Sequence, residues 1–191
     1  MAVLELVQIG EPVLREVAAA VGEDELAELA FQEFFDDLVE TMRAANGAGL
    51  AAPQVGVGKR VFCVEVRSNP RYPYKPDLDL RILVNPELRI LTAERFSSYE
   101  GCLSVPDLRG RLSRAPEIEV SYLDRDGGPV VERICGLSAG TFQHEQDHLD
   151  GILFVDRVED TRTLTTWDGF ERHHAAAYAA EARTLVERFG S

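Results

Sequence analysis

Two histidines four residues apart, with a glutamate next to the first, occur once in this chain, in Gln143-His144-Glu145-Gln146-Asp147-His148. On an α-helix, positions i and i+4 share a face one turn apart, so His144 and His148 can converge on one metal ion. Glu145 then sits at the rim of that ion, where it can take a proton from a bound water; this is the general-base role the spacing serves in metallohydrolases. Two imidazoles leave the ligand set incomplete, because a catalytic zinc-type site has three protein ligands and one position kept for water. The rest of the chain must supply the third.

Composition narrows the setting. The 191 residues, 45% hydrophobic, fit a single domain spanning residues 1–191. No apolar run approaches the roughly 20 residues that cross a bilayer, and the opening Met1-Ala2-Val3-Leu4-Glu5-Leu6 has no basic leader. A cytoplasmic protein is expected. A formal charge of −13 repels phosphate backbones and anionic lipid, so neither direct nucleic-acid binding nor a membrane role is expected. Cys63, Cys102 and Cys135 are an odd number, far apart, and argue against a disulfide framework.

Along the chain, Leu26, Ala30, Phe34, Leu38 and Met42 repeat every four residues, widened by Leu29, Phe35 and Val39. They predict one amphipathic helix from about residue 24 to 46, stopped by Asn46-Gly47. The glycine- and alanine-rich stretch Gly47 to Gly56 lacks the lysine and hydroxyl of a phosphate loop. It reads either as a helix cap and loop, or as backbone that lets a substrate strand come close, with Gln54 offering an amide at its end. Strands are predicted at 61–66, 81–84, 87–91 and 116–123, the last joined through Asp126-Gly127-Gly128 to a strand at 130–134. Residues 68–80, rich in Tyr and Pro, read as a surface loop. Gly151 reads as a helix stop followed by an extended segment at 152–155, and residues 166–189 as a C-terminal helix. The adjacent His173 and His174 point in different directions on a helix and are read as packing or solvated residues. Strands joined by turns, with helices segregated from them, make an α+β fold: antiparallel sheets around a central helix carrying the two histidines, with an N-terminal amphipathic helix and a C-terminal helix.

Cys102 lies in Tyr99-Glu100-Gly101-Cys102-Leu103-Ser104-Val105-Pro106, outside any clear strand. A lone cysteine is most often a small buried apolar residue. Gly101, which permits a tight backbone, and Pro106, which ends the segment, leave a functional role open.

The segments Gly47-Ala48-Gly49-Leu50-Ala51-Ala52-Pro53-Gln54, Glu100-Gly101-Cys102-Leu103-Ser104 and Gln143 to His148 together resemble the three signature motifs of peptide deformylase, in the family's order and approximate spacing. The resemblance implies that Cys102, as thiolate, completes a set with His144 and His148 around one divalent ion per chain. That ion would be ferrous iron natively, with zinc, nickel or cobalt as substitutes. It implies hydrolysis of the formyl group from the N-terminal methionine of newly made polypeptides, releasing formate, with N-formyl-methionyl nascent peptides as partners. Glu145 would be general base and acid, and Gln54 with the Leu103 N–H would stabilise the oxyanion. Gly47, Gly49, Leu50 and Gly101 would pair with the substrate backbone and Arg109 would touch it at the mouth. Glu100 and Arg114 would form a supporting ion pair, and residues 136–142, Thr141 among them, would line the methionine pocket. Two features depart from the pattern. Gly136-Leu137-Ser138-Ala139-Gly140-Thr141-Phe142 is poor in bulky apolar residues, which suggests a wider pocket, and the 68–80 loop looks like an insertion able to act as a lid. The C-terminal stretch is not clearly basic, so ribosome docking is not expected of this acidic chain.

Two rival readings use the same residues. A metallopeptidase would draw its third ligand from downstream, from Glu159 or Glu171, since Phe154 stands where the metzincin pattern requires histidine. A non-catalytic, metal-stabilised binding module is opposed by Glu145 and Gln54, which a purely structural metal does not need.

Overall fold

All six residues of Val61–Val66 are buried, which a strand achieves only when both faces of its sheet are covered. Phe62 and Val64 pack on one side with Ala139, Phe142 and Leu149. Val61 and Cys63 pack on the other with Phe35, Leu38, Val39 and Met42. The computed structural model describes residues 2–69 and 71–191. Its strands are β1 (Gly49–Ala51), β2 (Val61–Val66), β3 (Leu78–Ile90), β4 (Phe96–Cys102), β5 (Val105–Arg114), β6 (Glu117–Leu123) and β7 (Pro129–Cys135). Its helices are α1 (Glu23–Leu26), α2 (Leu29–Ala44), α3 (Gly136–Leu149), α4 (Trp167–His173) and α5 (Ala175–Phe189). An antiparallel sheet in the order β1-β2-β3-β6-β7 lies between α2 and α3, and β4-β5 forms a separate hairpin. The fold is α+β, with antiparallel sheets and C-terminal helices, as expected. Among the described residues no helix is long and apolar enough to cross a membrane.

Several predicted elements change on folding. The helix expected over 24–46 is two: the chain is extended at Glu28 (φ −68°, ψ 136°) before α2 begins. Gln32 Nε2 bridges the break to the Leu26 carbonyl at 2.9 Å. Ala30 is exposed and Leu29 is 74% exposed, so the buried stripe centres instead on Phe35, Leu38, Val39 and Met42. The predicted stop holds, with Asn46 at φ 53°. The strands expected at 81–84 and 87–91 are one strand with a register shift between Val84 and Glu87. Asn85, at φ 51°, absorbs the shift while its side chain exchanges two hydrogen bonds with the Val21 backbone. The β4-β5 hairpin was not expected at all, and it makes Cys102 the last residue of a strand rather than part of a loop. After Gly151 (φ 72°) a 3₁₀ turn, Phe154–Arg157, replaces the extended run. The C-terminal helix divides at His174, with the Thr166 side chain capping α4 by accepting from Gly169 N.

Phe142 is fully buried and meets Phe62 edge-on at 5.9 Å. Phe142→Ala is expected to cost about 3–5 kcal/mol. The check is a lower urea midpoint with an unchanged slope of the unfolding transition.

Candidate metal centre

Helix α3 and the hairpin bring Cys102, His144 and His148 together, with their ligand atoms all within 4.8 Å of one another. The His148 Nε2 lies 3.2 Å from the Cys102 sulfur. His144 donates Nδ1–H to Glu100 Oε2 at 2.8 Å, which orients the ring; burial lowers its pKa, but hydrogen bonds to Cys102 and Glu100 carry it well above the ordinary histidine value. Burial, helped by the neighbouring His144, holds the His148 pKa well below the ordinary histidine value, so it stays neutral as a ligand must. One sulfur and two imidazole nitrogens at this spacing fit a divalent ion with one position left for water. Neither Glu159 nor Glu171 joins the group, and both are exposed, so the downstream-ligand arrangement does not form among the described residues.

The two sides of the site are tied by Arg114. It donates to both oxygens of Glu100, at 2.8 and 2.9 Å, and to Asp147 Oδ2 at 2.7 Å. Asp147 also receives Arg157, at 2.7 Å. Burial alone would raise the Glu100 carboxyl, but Arg114 and His144 overcome it and hold the group well below the usual carboxylate range. The sequence reading anticipated the Glu100–Arg114 pair and missed Asp147 and Arg157. Asp147 is one of the unassigned positions between the two histidines, and its orientation is set only by the fold.

Gln54 is 2% exposed. Its Oε1 accepts from Ala51 N at 2.9 Å, so its Nε2 faces the site, 3.4 Å from the Cys102 sulfur and 3.3 Å from Ser104 Oγ. Glu145 packs against β1, where a Cβ on Gly49 would lie 2.4 Å from its Oε1; glycine is required at that point. Glu145 Oε2 is buried and has no hydrogen-bond partner among the described residues, and burial pushes the carboxyl up to about 7 against the pull of His144 and Lys75. A cavity beside these groups is lined by Gly47, Gly49, Gly101, Leu103, Thr141 and the ligands Cys102 and His144. The Leu50 side chain packs in the core and does not line this cavity.

One expectation changes here. Arg109 does not stand at the mouth: it is fully buried, with its guanidinium 4.0 Å from the Phe170 ring and 4.4 Å from Trp167, donating to the Tyr99 carbonyl at 2.7 Å. Gly140 permits a close approach: the Phe96 ring lies 3.1 Å from where its Cβ would stand. The 68–80 segment does lie beside the site: Tyr72, Tyr74 and Lys75 line the cavity, although residues from 78 onward belong to β3 rather than to the loop. Tyr178 of α5 lines it too, a wall residue that no motif indicated. His173 and His174 are exposed, and His174 stacks on Tyr99.

A sequence model of polypeptide deformylase matches residues 3–163. The chain belongs to the polypeptide deformylase family. It is 41% identical over 168 residues to peptide deformylase 2 of Nostoc sp., covering 88% of this chain and 93% of the relative. With the peptide deformylase of Heliobacterium modesticaldum it shares 46% over 162 residues, 84% and 97% of the two chains. A class I type b peptide deformylase from Acinetobacter baumannii, solved with Met-Ala-Ser bound, superposes with a TM-score of 0.79 at 43% identity, over 82% of this chain and 99% of that one. A deformylase from Synechococcus elongatus in complex with actinonin aligns with 98% of this chain and 86% of its own at TM-score 0.73 and 31% identity. This deformylase is therefore a metal-dependent hydrolase that removes the formyl group from formyl-methionyl nascent peptides. Its Cys, His and His group is the metal-binding candidate.

Replacing Arg114 by Met strands two buried carboxylates, Glu100 and Asp147, without their shared cation. The variant is expected to lose about 3–5 kcal/mol of stability and about 10–100-fold in metal affinity. Thermal unfolding and a metal titration check the two effects separately.

Proposed function

We propose that residues 1–191 act as one catalytic domain in which Cys102, His144 and His148 hold a single divalent ion and Glu145, Gln54 and Leu103 carry the deformylation. The observation that supports this best is the meeting of a distant thiol with the histidine pair, beside an acid whose Oε2 has no other partner. When bound, the ion supplies Lewis-acid polarisation of the formyl carbonyl and acidifies water at its open position. Ferrous iron is the proposed native metal, with zinc, nickel or cobalt able to replace it; a mixed sulfur and imidazole set accepts all of them.

The protein's own groups do the rest. Gln54 Nε2, aimed by the Ala51 N–H on its oxygen, and the backbone N–H of Leu103 are proposed to donate to the formyl oxygen as negative charge develops there. Glu145 accepts a proton at Oε2 and returns it to the departing amine nitrogen; a carboxyl poised near neutrality by burial suits both transfers. The edge strand β1 pairs with β2 on one side only, so the backbone of Gly49 and Leu50 is proposed to receive the peptide as an added strand, with Gly47 just ahead of it and Gly101 across the cavity. Thr141, with Leu137 and Gly140, lines the part of the cavity proposed for the first side chain. Arg109 acts from behind, by holding Tyr74 and Tyr99 in the wall. The proposed setting is the cytoplasm, where nascent chains carry the formyl group.

Glu145→Gln is expected to keep its metal and to release formate from formyl-Met-Ala-Ser about 10²–10⁴-fold more slowly. Cys102→Ser is expected to lose the metal. Metal analysis alongside the formate assay checks both; undiminished turnover in the Gln variant would overturn the assignment of Glu145. Gly49→Ala is expected to lower turnover by displacing Glu145 while leaving metal content intact, which the same pair of measurements reads.

A further inference from the structure

Part of the cavity wall comes from none of the three signature segments. Lys75, from the loop ahead of β3, donates from Nζ to Thr141 Oγ1 at 2.7 Å, and its ammonium lies 4.9 Å from the centre of the Tyr72 ring. An ammonium has three N–H groups. The hydrogen bond to Thr141 engages one of them, and among the described residues Lys75 forms no ion pair with a carboxylate. Ser98 Oγ and Tyr178 Oη share a hydrogen bond of 3.2 Å on the same cavity's lining. The aliphatic contribution is small: Ala48, Leu103 and Leu137. A purely hydrocarbon side chain entering here leaves donors without acceptors, and a site of that kind discriminates strongly by the presence or absence of an acceptor.

We propose that Lys75, positioned by Thr141, is a specificity-determining residue whose ammonium hydrogen-bonds the far end of the peptide's first side chain, so that the cavity favours side chains ending in an acceptor. This rests on the reading that the cavity holds that side chain. A thioether sulfur is a weak acceptor, and its oxidised form, the sulfoxide, is polar and accepts well. An isosteric hydrocarbon, norleucine, offers nothing. The order of preference at this wall is methionine sulfoxide, then methionine, then norleucine. A formylated chain whose first methionine has been oxidised therefore remains a substrate, where a pocket lined by aliphatic residues would exclude it.

The test is kcat/KM for formate release from formyl-Met-Ala-Ser and from the same peptide carrying norleucine or methionine sulfoxide first, using metal-loaded wild-type protein, Lys75→Met and Thr141→Val. The sulfoxide-to-norleucine ratio is expected to fall about tenfold or more in Lys75→Met, the size of one lost hydrogen bond to a charged group. Thr141→Val, which keeps the lysine but removes its anchor, is expected to move the ratio the same way by less. A variant that is merely damaged loses all three substrates in proportion and leaves the ratio unchanged. A ratio the same in both variants as in wild type overturns the proposal, as does a wild-type protein that cleaves the methionine and norleucine peptides but not the sulfoxide. Formate from none of the three would instead overturn the residue assignment of the preceding section, and this inference with it.

Discussion

Arg114 puts one buried positive charge between Glu100 and Asp147. Glu100 stands two residues before Cys102 on the hairpin, and Asp147 lies between the two histidines on α3. A buried guanidinium is tolerated only when its charge and donors are matched, and here the matching groups come from the two elements whose approach makes the metal centre. Glu100 passes the constraint on, because its Oε2 also fixes the His144 ring. The distance from sulfur to imidazole is thus set by an ion network before any metal is considered, and the ligand set is positioned rather than gathered.

The packing explains why that network can be rigid. The central sheet is covered on both sides, by α2 and α3, and α3 is buried almost all round, including Gly136 to Gln143 without a gap. Interiors are close-packed, so a helix held in this way has little freedom to slide or rotate. Gly49 carries the consequence into the site: β1 and α3 approach so closely that Glu145 occupies the space of an absent side chain. The carboxylate is held by the fold and not by a hydrogen bond, which leaves its Oε2 available.

The sequence showed some of this and concealed the rest for physical reasons. The spacing of His144 and His148 placed both on one helix face, although α3 has no apolar stripe to reveal it, since it is buried on every side. The strand at 61–66 stood out because only Glu65 interrupts its apolar residues, for the related reason that both of its faces are covered. Cys102 as third ligand came from the resemblance to a family and not from its own surroundings. The hairpin that carries it alternates poorly: Ser97, Ser98 and Glu100 interrupt one strand and Pro106 suggested an end to the other. Arg109 was placed at the mouth by the resemblance alone. Its burial depends on Tyr72, Trp167 and Phe170, aromatic rings far away in sequence that local pattern does not connect to it. Lys75 and Tyr178 were hidden in the same way, one in a stretch that reads as loop and the other in an alanine-rich helix.

Tyr178 and the helix that bears it lie beyond residue 163, outside the span that defines the family. Cys102, His144 and His148 lie inside that span, so the reactive centre and one wall of its cavity are encoded in separate parts of the chain. For inhibitors this offers two kinds of contact. A compound that only chelates at Cys102, His144 and His148 uses groups inside the family span, whereas one extended to Tyr178 also engages a helix beyond it.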